Sequence, residues 1–350
     1  MNKLNREKKA IAVVSKPLDI ILSEEFFYQQ SVKKEDILWV VIKNNGDKTK
    51  DSISFLNRNY PVSKLLTWSY FVFIRTHEFQ VLKDSDKTVF RRLKMAVFGP
   101  VNAISWYFSA FLFWKKIKRF GDYSEVDFFL SSPDSRNILP SVFFKNAKLI
   151  IFDGGYSTVT WRLVEDTKDG GGRKLISRCL KSFGYGMPSS IKRKIVKYHK
   201  GGVSLFTIYS SCGSCSSIYS LEANNLSNLK SVFSTLTTTN GLLVIGAVSR
   251  IMSLEQQLSR ARLVAKNHGV GFMQYKPHPL ENNSNVRKKL KTLGCGIWEG
   301  GSSIEFDIIR KGYCPRLFLT FGSTASKVLR MALPHNIEIL DEIGDVMNNK

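Results

Sequence analysis

Three reactive side chains in this chain each follow an apolar run of the kind that forms a buried strand. They are Asp153, His278 and Ser323, and the runs are Leu149–Phe152, Gly271–Tyr275 and Leu317–Phe321. A carboxylate can accept a proton, an imidazole can donate one, and hydroxyls at a helix start can hold an anion. Ligands of open α/β sheets bind at the carboxyl ends of strands. The pattern therefore predicts an α/β enzyme that handles a phosphate-bearing donor.

The acid and the histidine are the candidate catalytic residues. Asp153 precedes two glycines, which allow a substrate to approach closely, so it is placed to act as a general base; a turn or helix-cap aspartate is the alternative. His278 stands between Pro277 and Pro279, which restrict the turn and fix how the imidazole is presented. A histidine that bonds only within its own turn is the alternative there.

Further residues are candidates for binding the donor. Ser323 and Thr324 open a predicted helix, where hydroxyls and backbone N–H groups form an anion site. Gly246 ends an apolar run and allows a nucleotide to approach the backbone. Glu305 can bond ribose hydroxyls or stand in solvent, and Lys276 adds positive charge beside His278. We therefore expect Gly246, Lys276, Pro279, Glu305, Ser323 and Thr324 to contact the donor.

Strand-like runs alternate with helical stretches along the whole chain, a pattern typical of βαβ units and parallel sheets. A length of 350 residues suits two domains. A Gly-, Ser- and Pro-rich stretch at 182–190 and a basic stretch at 192–200 read as the connection between them. We predict two Rossmann-like domains, 1–200 and 201–350, that face each other across a cleft.

The chain is strongly basic, with 52 Lys and Arg against 29 Asp and Glu and a net charge of +23. Nucleic acid, an anionic membrane surface or a polyanionic substrate could explain this excess. No nucleic-acid-binding module is recognisable in the sequence, so we expect no nucleic acid partner. Five cysteines fit no disulfide framework, which favours a reducing cytoplasm, and the polar start argues against a signal peptide.

No metal ion or cofactor is predicted. Cys212 and Cys215 form a CxxC, but two further ligands at similar spacing are missing from the sequence. Asp84 and Asp86 form a D-x-D among lysines, in a stretch that reads as a loop. Protein groups can offset a phosphate charge without a cation.

The segment Ala96–Trp114 carries no charge and precedes Lys115, Lys116, Lys118 and Arg119. Its length passes the simplest test for a membrane span, whereas its Gly, Pro, Asn and Ser residues argue against one. Its aromatic residues beside cations suit a helix at a lipid interface. Surface contact with lipid, a buried helix and a true span therefore stay open.

Taken together, the chain resembles the bacterial sialyltransferases of the GT-B type, such as the lipooligosaccharide sialyltransferases and capsule polysialyltransferases. That family carries an acidic motif, an HP motif and a serine-rich motif in this order. The corresponding residues here are Phe152-Asp153-Gly154, His278-Pro279 and Ser323-Thr324, and Val14–Asp19 and Ile245-Gly246 resemble its first strand and its entry to the donor domain. Phe152 departs from the family's first acid, and Thr324 from a frequent second serine.

The resemblance implies roles for these residues and an activity. Asp153 would be the general base, His278 would protonate or bond the leaving CMP phosphate, Ser323 and Thr324 would hold it, and Glu305 would bind the ribose. The first domain would take the acceptor and the second the donor.

The expected activity is a metal-independent, inverting transfer of sialic acid from CMP-sialic acid to a bacterial surface glycan such as lipooligosaccharide, O-antigen or capsule. The acceptor would be lipid-linked, and the enzyme would sit peripherally on the anionic inner face of the cytoplasmic membrane. Transfer of another CMP- or CDP-activated unit, such as Kdo or glycerol phosphate, is the alternative. A non-catalytic glycan-binding relative is a further one.

Overall fold

The computed structural model describes most of the chain in two compact units, Met1–Asn224 and Asn225–Lys350. The described residues are 7–43, 47–69, 107–120, 123, 125–132, 135–152, 199–208, 220–247, 249, 251–278, 284–300 and 303–342. Each unit contains one parallel sheet with helices between its strands.

The first unit contains a seven-stranded sheet in the order β3-β2-β1-β4-β5-β6-β7. Its strands are β1 (Ala10–Val14), β2 (Ile37–Ile42), β3 (Leu65–Trp68), β4 (Phe128–Ser131), β5 (Lys148–Phe152), β6 (Val203–Thr207) and β7 (Ser220–Ala223). Its helices are α1 (Pro17–Gln30), α2 (Asp47–Asn59), α3 (107–118) and α4 (Ser135–Ile138), with 3₁₀ turns at Lys34–Asp36, Val62–Lys64 and Leu139–Phe144.

The second unit contains a five-stranded sheet in the order β10-β9-β8-β11-β12. Its strands are β8 (Thr237–Ile245), β9 (Phe272–Lys276), β10 (Gly296–Ile297), β11 (Tyr313–Thr320) and β12 (Glu338–Asp341). Its helices are α5 (Ser227–Ser234), α6 (Leu254–Asn267), α7 (Ser284–Thr292), α8 (Ile304–Lys311) and α9 (Thr324–Ala332).

Burial on both faces explains the continuous apolar strands. In β1, Ile11 and Val13 belong to one core cluster, whereas Ala10, Ala12 and Val14 belong to another on the opposite face. Successive side chains of a strand point to opposite faces, so a strand covered on both sides must be apolar throughout.

In each sheet, the strands that follow the first strand are added on one side of it, and the later strands are added on the other side. This reversal of strand order creates one topological switch point in each sheet. In the first sheet it lies between β1 and β4, and in the second between β8 and β11. Doubly wound sheets bind ligands outside the carboxyl ends of the strands at this point. The predicted class, α/β with two Rossmann-like domains, is confirmed.

The division between the units differs from the predicted boundary after residue 200. The run that begins at Val203, expected to open the second domain, forms β6 and pairs with β5, with Val203 opposite Leu149. The division falls between Asn224 and Asn225 instead. An apolar run records that a strand is buried, but it does not record which sheet buries it.

Several edge strands also escaped the sequence pattern. Strands β7, β10 and β12 are two to four residues long, and all their side chains except that of Asp341 are exposed or half-buried. The strand predicted at Tyr70–Ile74 lies outside the described residues, and β3 precedes it. In the described part of the chain, no helix has the length and apolar character needed to cross a membrane.

Glu24 on α1 should make the stability of the protein depend on pH. Its Oε1 accepts a hydrogen bond from Tyr60 Oη at 3.1 Å, and burial raises its pKa to about 7. A raised carboxyl pKa stabilises the fold below the unfolded value of 4.5, and this contribution is lost as the pH rises through about 7.

We therefore expect Glu24→Gln to be more stable than the wild type at pH 8, by about 1–3 kcal/mol, and equally stable at pH 4. Urea unfolding at both pH values measures the difference. An equal stability difference at the two pH values would contradict the raised pKa of this carboxyl group.

Candidate functional site

The candidate site in the second unit lies at the carboxyl ends of β9, β8 and β11, which are neighbours in the sheet. The chain leaves β8 at Gly246, whose N–H donates to Lys276 O at the end of β9 at 2.9 Å. His278 follows β9, and Ser323 follows β11. Three of the sequence-predicted site residues therefore share one edge, beside the switch point between β8 and β11.

Gly246 has a packing reason for lacking a side chain. A Cβ atom at this position would collide with the hydroxyl group and ring of Tyr275 on β9. The tyrosine is buried and donates a hydrogen bond from Oη to Gln257 Oε1 at 2.7 Å. The space beside Gly246 is thus occupied by the ring of Tyr275. The contact of Gly246 with a nucleotide stays a prediction.

Gln257 fixes the loop that follows β8, although it is not among the residues predicted from the sequence. Its Oε1 accepts from Ala247 N at 3.0 Å, and its Nε2 donates to Ala247 O at 3.2 Å and to Met252 O at 2.6 Å. The side chain is buried, so the two bonds to Ala247 are shielded from water. The signal that could have identified it in the sequence is a polar glutamine on the apolar stripe of a predicted helix.

Ser323 is the N-cap of α9. Its Oγ accepts a hydrogen bond from Ala325 N at 3.3 Å, and Thr324 is the first residue of the helix. The preceding Gly322 has φ +67°, in the left-handed region, and its N–H donates to Asp341 Oδ1 at 2.7 Å. Asp341 on β12, a residue the sequence analysis did not single out, therefore fixes the turn that places the start of α9 at the switch point.

Lys276 points into the unit. Its Nζ donates to Asp307 Oδ2 on α8 and to Gly300 O at 3.4 Å. The two side chains are 8% and 0% exposed. A side chain at Gly300 would collide with the Asp307 carboxylate, so loop and helix close tightly around this pair. The predicted contact of Lys276 with the donor is untested, and the structure gives the ammonium an internal partner.

Glu305 lies in the first turn of α8, two residues before Asp307. Its side chain is buried, and burial raises its pKa although the nearby Lys276 charge opposes the shift. A buried carboxyl group is costly unless polar partners satisfy it. Its burial contrasts with the solvent-facing alternative considered from the sequence.

The remaining sequence-predicted residues are described incompletely. His278 is half-buried. Asp153, which follows β5 directly, and Pro279 lie outside the described residues, as do Asp84, Asp86, Cys212 and Cys215; for Thr324 only the backbone is described. Cys295 and Cys314 are buried thiols, and burial raises the pKa of Cys314 to about 12, which makes it unreactive.

No group of three or more His, Cys, Asp or Glu side chains that could hold a metal ion occurs within the described ranges.

A cavity of about 480 Å³ lies in the first unit, where Asp127, Lys148 and Gly201 line it at the amino ends of β4, β5 and β6. Because ligands of such sheets bind at the opposite edge, we do not assign this cavity to the site.

Comparison with known proteins identifies solved structures of similar fold. No family model and no curated protein matches the chain. A protein described as a UDP-N-acetylglucosamine 2-epimerase from Listeria monocytogenes is 10% identical with a TM-score of 0.48, over 94% of this chain and 78% of that one. The UDP-GlcNAc 2-epimerase from Methanocaldococcus jannaschii is 12% identical with a TM-score of 0.46, over 97% and 86%. S. aureus MnaA with UDP is 12% identical with a TM-score of 0.39, over 95% and 78%.

The predicted sialyltransferase activity was wrong. These structures are of UDP-GlcNAc 2-epimerases and a UDP complex, not of CMP-sialic acid transferases. The predictions of a CMP-sugar donor, of a glycan acceptor and of the alternative CMP- or CDP-linked transfer were therefore wrong as well. The physical reason is that Asp153, His278 and Ser323 occupy positions that follow strand ends. Any enzyme of this architecture can use those positions, so such short motifs do not distinguish one nucleotide from another.

Proposed function

We propose that this protein is a nucleotide-sugar enzyme and that its second domain binds the nucleotide at the switch point between β8 and β11. The observation that carries the proposal is the meeting of Gly246, His278 and Ser323 at one sheet edge. The start of α9 there offers backbone N–H groups to a phosphate.

Each residue has a role in this proposal. Ser323 and Thr324 hold phosphate, and Glu305 accepts hydrogen bonds from the ribose. His278, which Pro279 follows in the sequence, donates a proton or hydrogen bond to the nucleotide phosphate. Lys276 acts through Asp307, because their ion pair joins β9 to the helix that carries Glu305. In the first domain, which would take the sugar, Asp153 acts as the base.

We also propose a peripheral location on the inner face of the cytoplasmic membrane. Its supports are the net charge of +23 and the exposed aromatic residues of α3.

Nucleotide binding tests the proposal. UDP or UDP-GlcNAc at about one hundred times its Kd should stabilise the second domain by about 2.7 kcal/mol, which is a rise in Tm of roughly 5 °C or more. EDTA should leave this rise unchanged, because protein groups offset the phosphate charge. Scanning calorimetry measures both effects, and loss of the rise in EDTA would contradict the metal-independent site.

Two cap variants locate the binding. Ser323→Ala and Ser253→Ala each remove an N-cap hydroxyl from a helix of the second domain, so each should cost about 1 kcal/mol of stability. We expect only Ser323→Ala to weaken UDP binding, by about tenfold or more. Equal UDP affinity in the two variants would remove the start of α9 from the site.

Product analysis then separates the possible reactions. NMR of UDP-GlcNAc incubated with the enzyme alone distinguishes an epimerised sugar from release of UDP. A nucleotide sugar that binds but stays unchanged without a second substrate indicates transfer. If neither UDP nor UDP-GlcNAc stabilises the protein, the proposed nucleotide class is wrong.

A further inference from the structure

Helix α3 carries more aromatic side chains than its contact with the core of the first domain requires. Ala110, Phe113 and Ile117 are fully buried in the core of the first domain, and Phe113 meets Trp68 edge to face at 5.6 Å. The other side of the helix carries Phe108 and further large side chains in solvent. The exposed fractions are 46% for Tyr107, 51% for Phe108 and 42% for Phe111.

Contacts between aromatic rings fix the conformation of the exposed side of α3. Trp114 stacks on Phe143 at 5.5 Å with an interplanar angle of 24°, and Phe111 lies 5.7 Å from Trp114 and 6.2 Å from Phe143. Because these rings support one another, the apolar surface is formed before any partner arrives, and binding costs little conformational entropy.

Cations border this surface. Lys115, Lys116, Lys118 and Arg119 are all exposed, and Lys118 Nζ lies 5.1 Å above the Trp114 ring. No acidic residue occurs between positions 107 and 120. Aromatic side chains beside Lys and Arg are the composition of a helix that lies in the headgroup layer of an anionic bilayer.

The packing of α3 suits a helix that lies on a membrane rather than one that crosses it. In the described part of the chain, no helix is long and apolar enough to span the hydrocarbon of a bilayer. One side is committed to the core of the domain, so only the other side can enter lipid. Embedding to the depth of a ring places the neighbouring cations at the level of the phosphates.

We propose that this aromatic–cationic face, formed by Tyr107, Phe108, Phe111, Trp114, Phe143, Lys115, Lys118 and Arg119, docks on an anionic lipid bilayer. The proposal rests on the peripheral location proposed above and is independent of the nucleotide site. Lipid is favoured over an acidic protein because charge alone would not require the exposed phenylalanines.

Vesicle flotation tests the docking. The full chain should float with vesicles of phosphatidylcholine and phosphatidylserine at low salt, and largely dissociate in about 0.5 M salt as the charges are screened. Phe108→Ser with Phe111→Ser should weaken partition at least about tenfold, and Lys115→Glu with Lys118→Glu and Arg119→Glu likewise.

Matched controls change the same chemistry elsewhere. Phe272→Ser removes a ring that is 57% exposed in the second domain, and Lys266→Glu with Lys288→Glu and Lys291→Glu makes the same change in net charge. These controls should float like the wild type. Equal loss in both charge variants would mean that net charge, not this face, drives binding, and the proposal would fall.

Two further results would overturn it. One is the absence of flotation with anionic vesicles at low salt, and the other is tight binding of single-stranded RNA that the aromatic variant abolishes. The rise in Tm with UDP, measured on the same variants, separates failure of docking from failure of the nucleotide site.

Discussion

Replacing Lys276 by methionine should destabilise the second domain by about 3–5 kcal/mol, the usual cost of removing one partner of a buried ion pair. Asp307, at 0% exposure, would lose the ammonium partner of its Oδ2, and Arg310 Nη2, 3.7 Å from its Oδ1, belongs to a side chain that is 41% exposed. Hydrogen exchange of peptides from β9 and α8 measures the change separately from the first domain. Because α8 carries Glu305, UDP binding should weaken as well.

Two companion variants make the result specific. Lys289→Met breaks an ion pair with Glu255 in which both side chains are at least half exposed, so it should destabilise the domain far less than Lys276→Met. Lys276→Met combined with Asp307→Asn removes both charges and should recover more than half of the lost stability. If the single and double variants are equally unstable, the methionine itself disturbs the packing and the ion-pair explanation is wrong.

Asp153→Asn should lower turnover of the nucleotide sugar by roughly two to four orders of magnitude, because an amide cannot accept the proton that a general base removes. Asp153 follows β5, which neighbours β4 and the switch point of the first sheet. UDP affinity should stay unchanged, since the proposed nucleotide site belongs to the second domain. Single-turnover kinetics and calorimetry measure the two quantities.

Asp127→Asn is the matched control for this prediction. Asp127 precedes β4 at the amino edge of the same sheet, where its Oδ2 accepts a hydrogen bond from Lys9 N at 2.9 Å. The same chemical change there should leave turnover within about twofold of the wild type. Near-normal turnover in Asp153→Asn would remove this residue from the mechanism.

The buried strands and amphipathic helices could be read from the sequence because their patterns are local. β1 and β2 are apolar throughout and β5 is apolar after Lys148, since both faces of each strand are covered, and α6 shows its apolar stripe at helical spacing. The positions of His278 and Ser323 after strands follow from the same patterns. Alternation of strands and helices was sufficient to predict two parallel α/β sheets.

The short motifs correctly located residues at the carboxyl ends of strands, but they led to a wrong prediction of the reaction. His278 and Ser323 identify a sheet edge that suits a nucleotide, but base and sugar are selected by contacts from many loops at once. The resemblance carried by these residues therefore led to the right architecture and the wrong activity.

Partners distant in sequence were decided by the tertiary structure. Lys276 and Asp307 are 31 positions apart, and the fold turns a cation expected to meet the donor toward a buried carboxylate. Gly246 accommodates Tyr275, and β6 joins the first sheet rather than the second. A sequence records which side chains avoid water or need a partner; which partner each one finds depends on how strands are ordered in a sheet, because that order brings distant residues into contact.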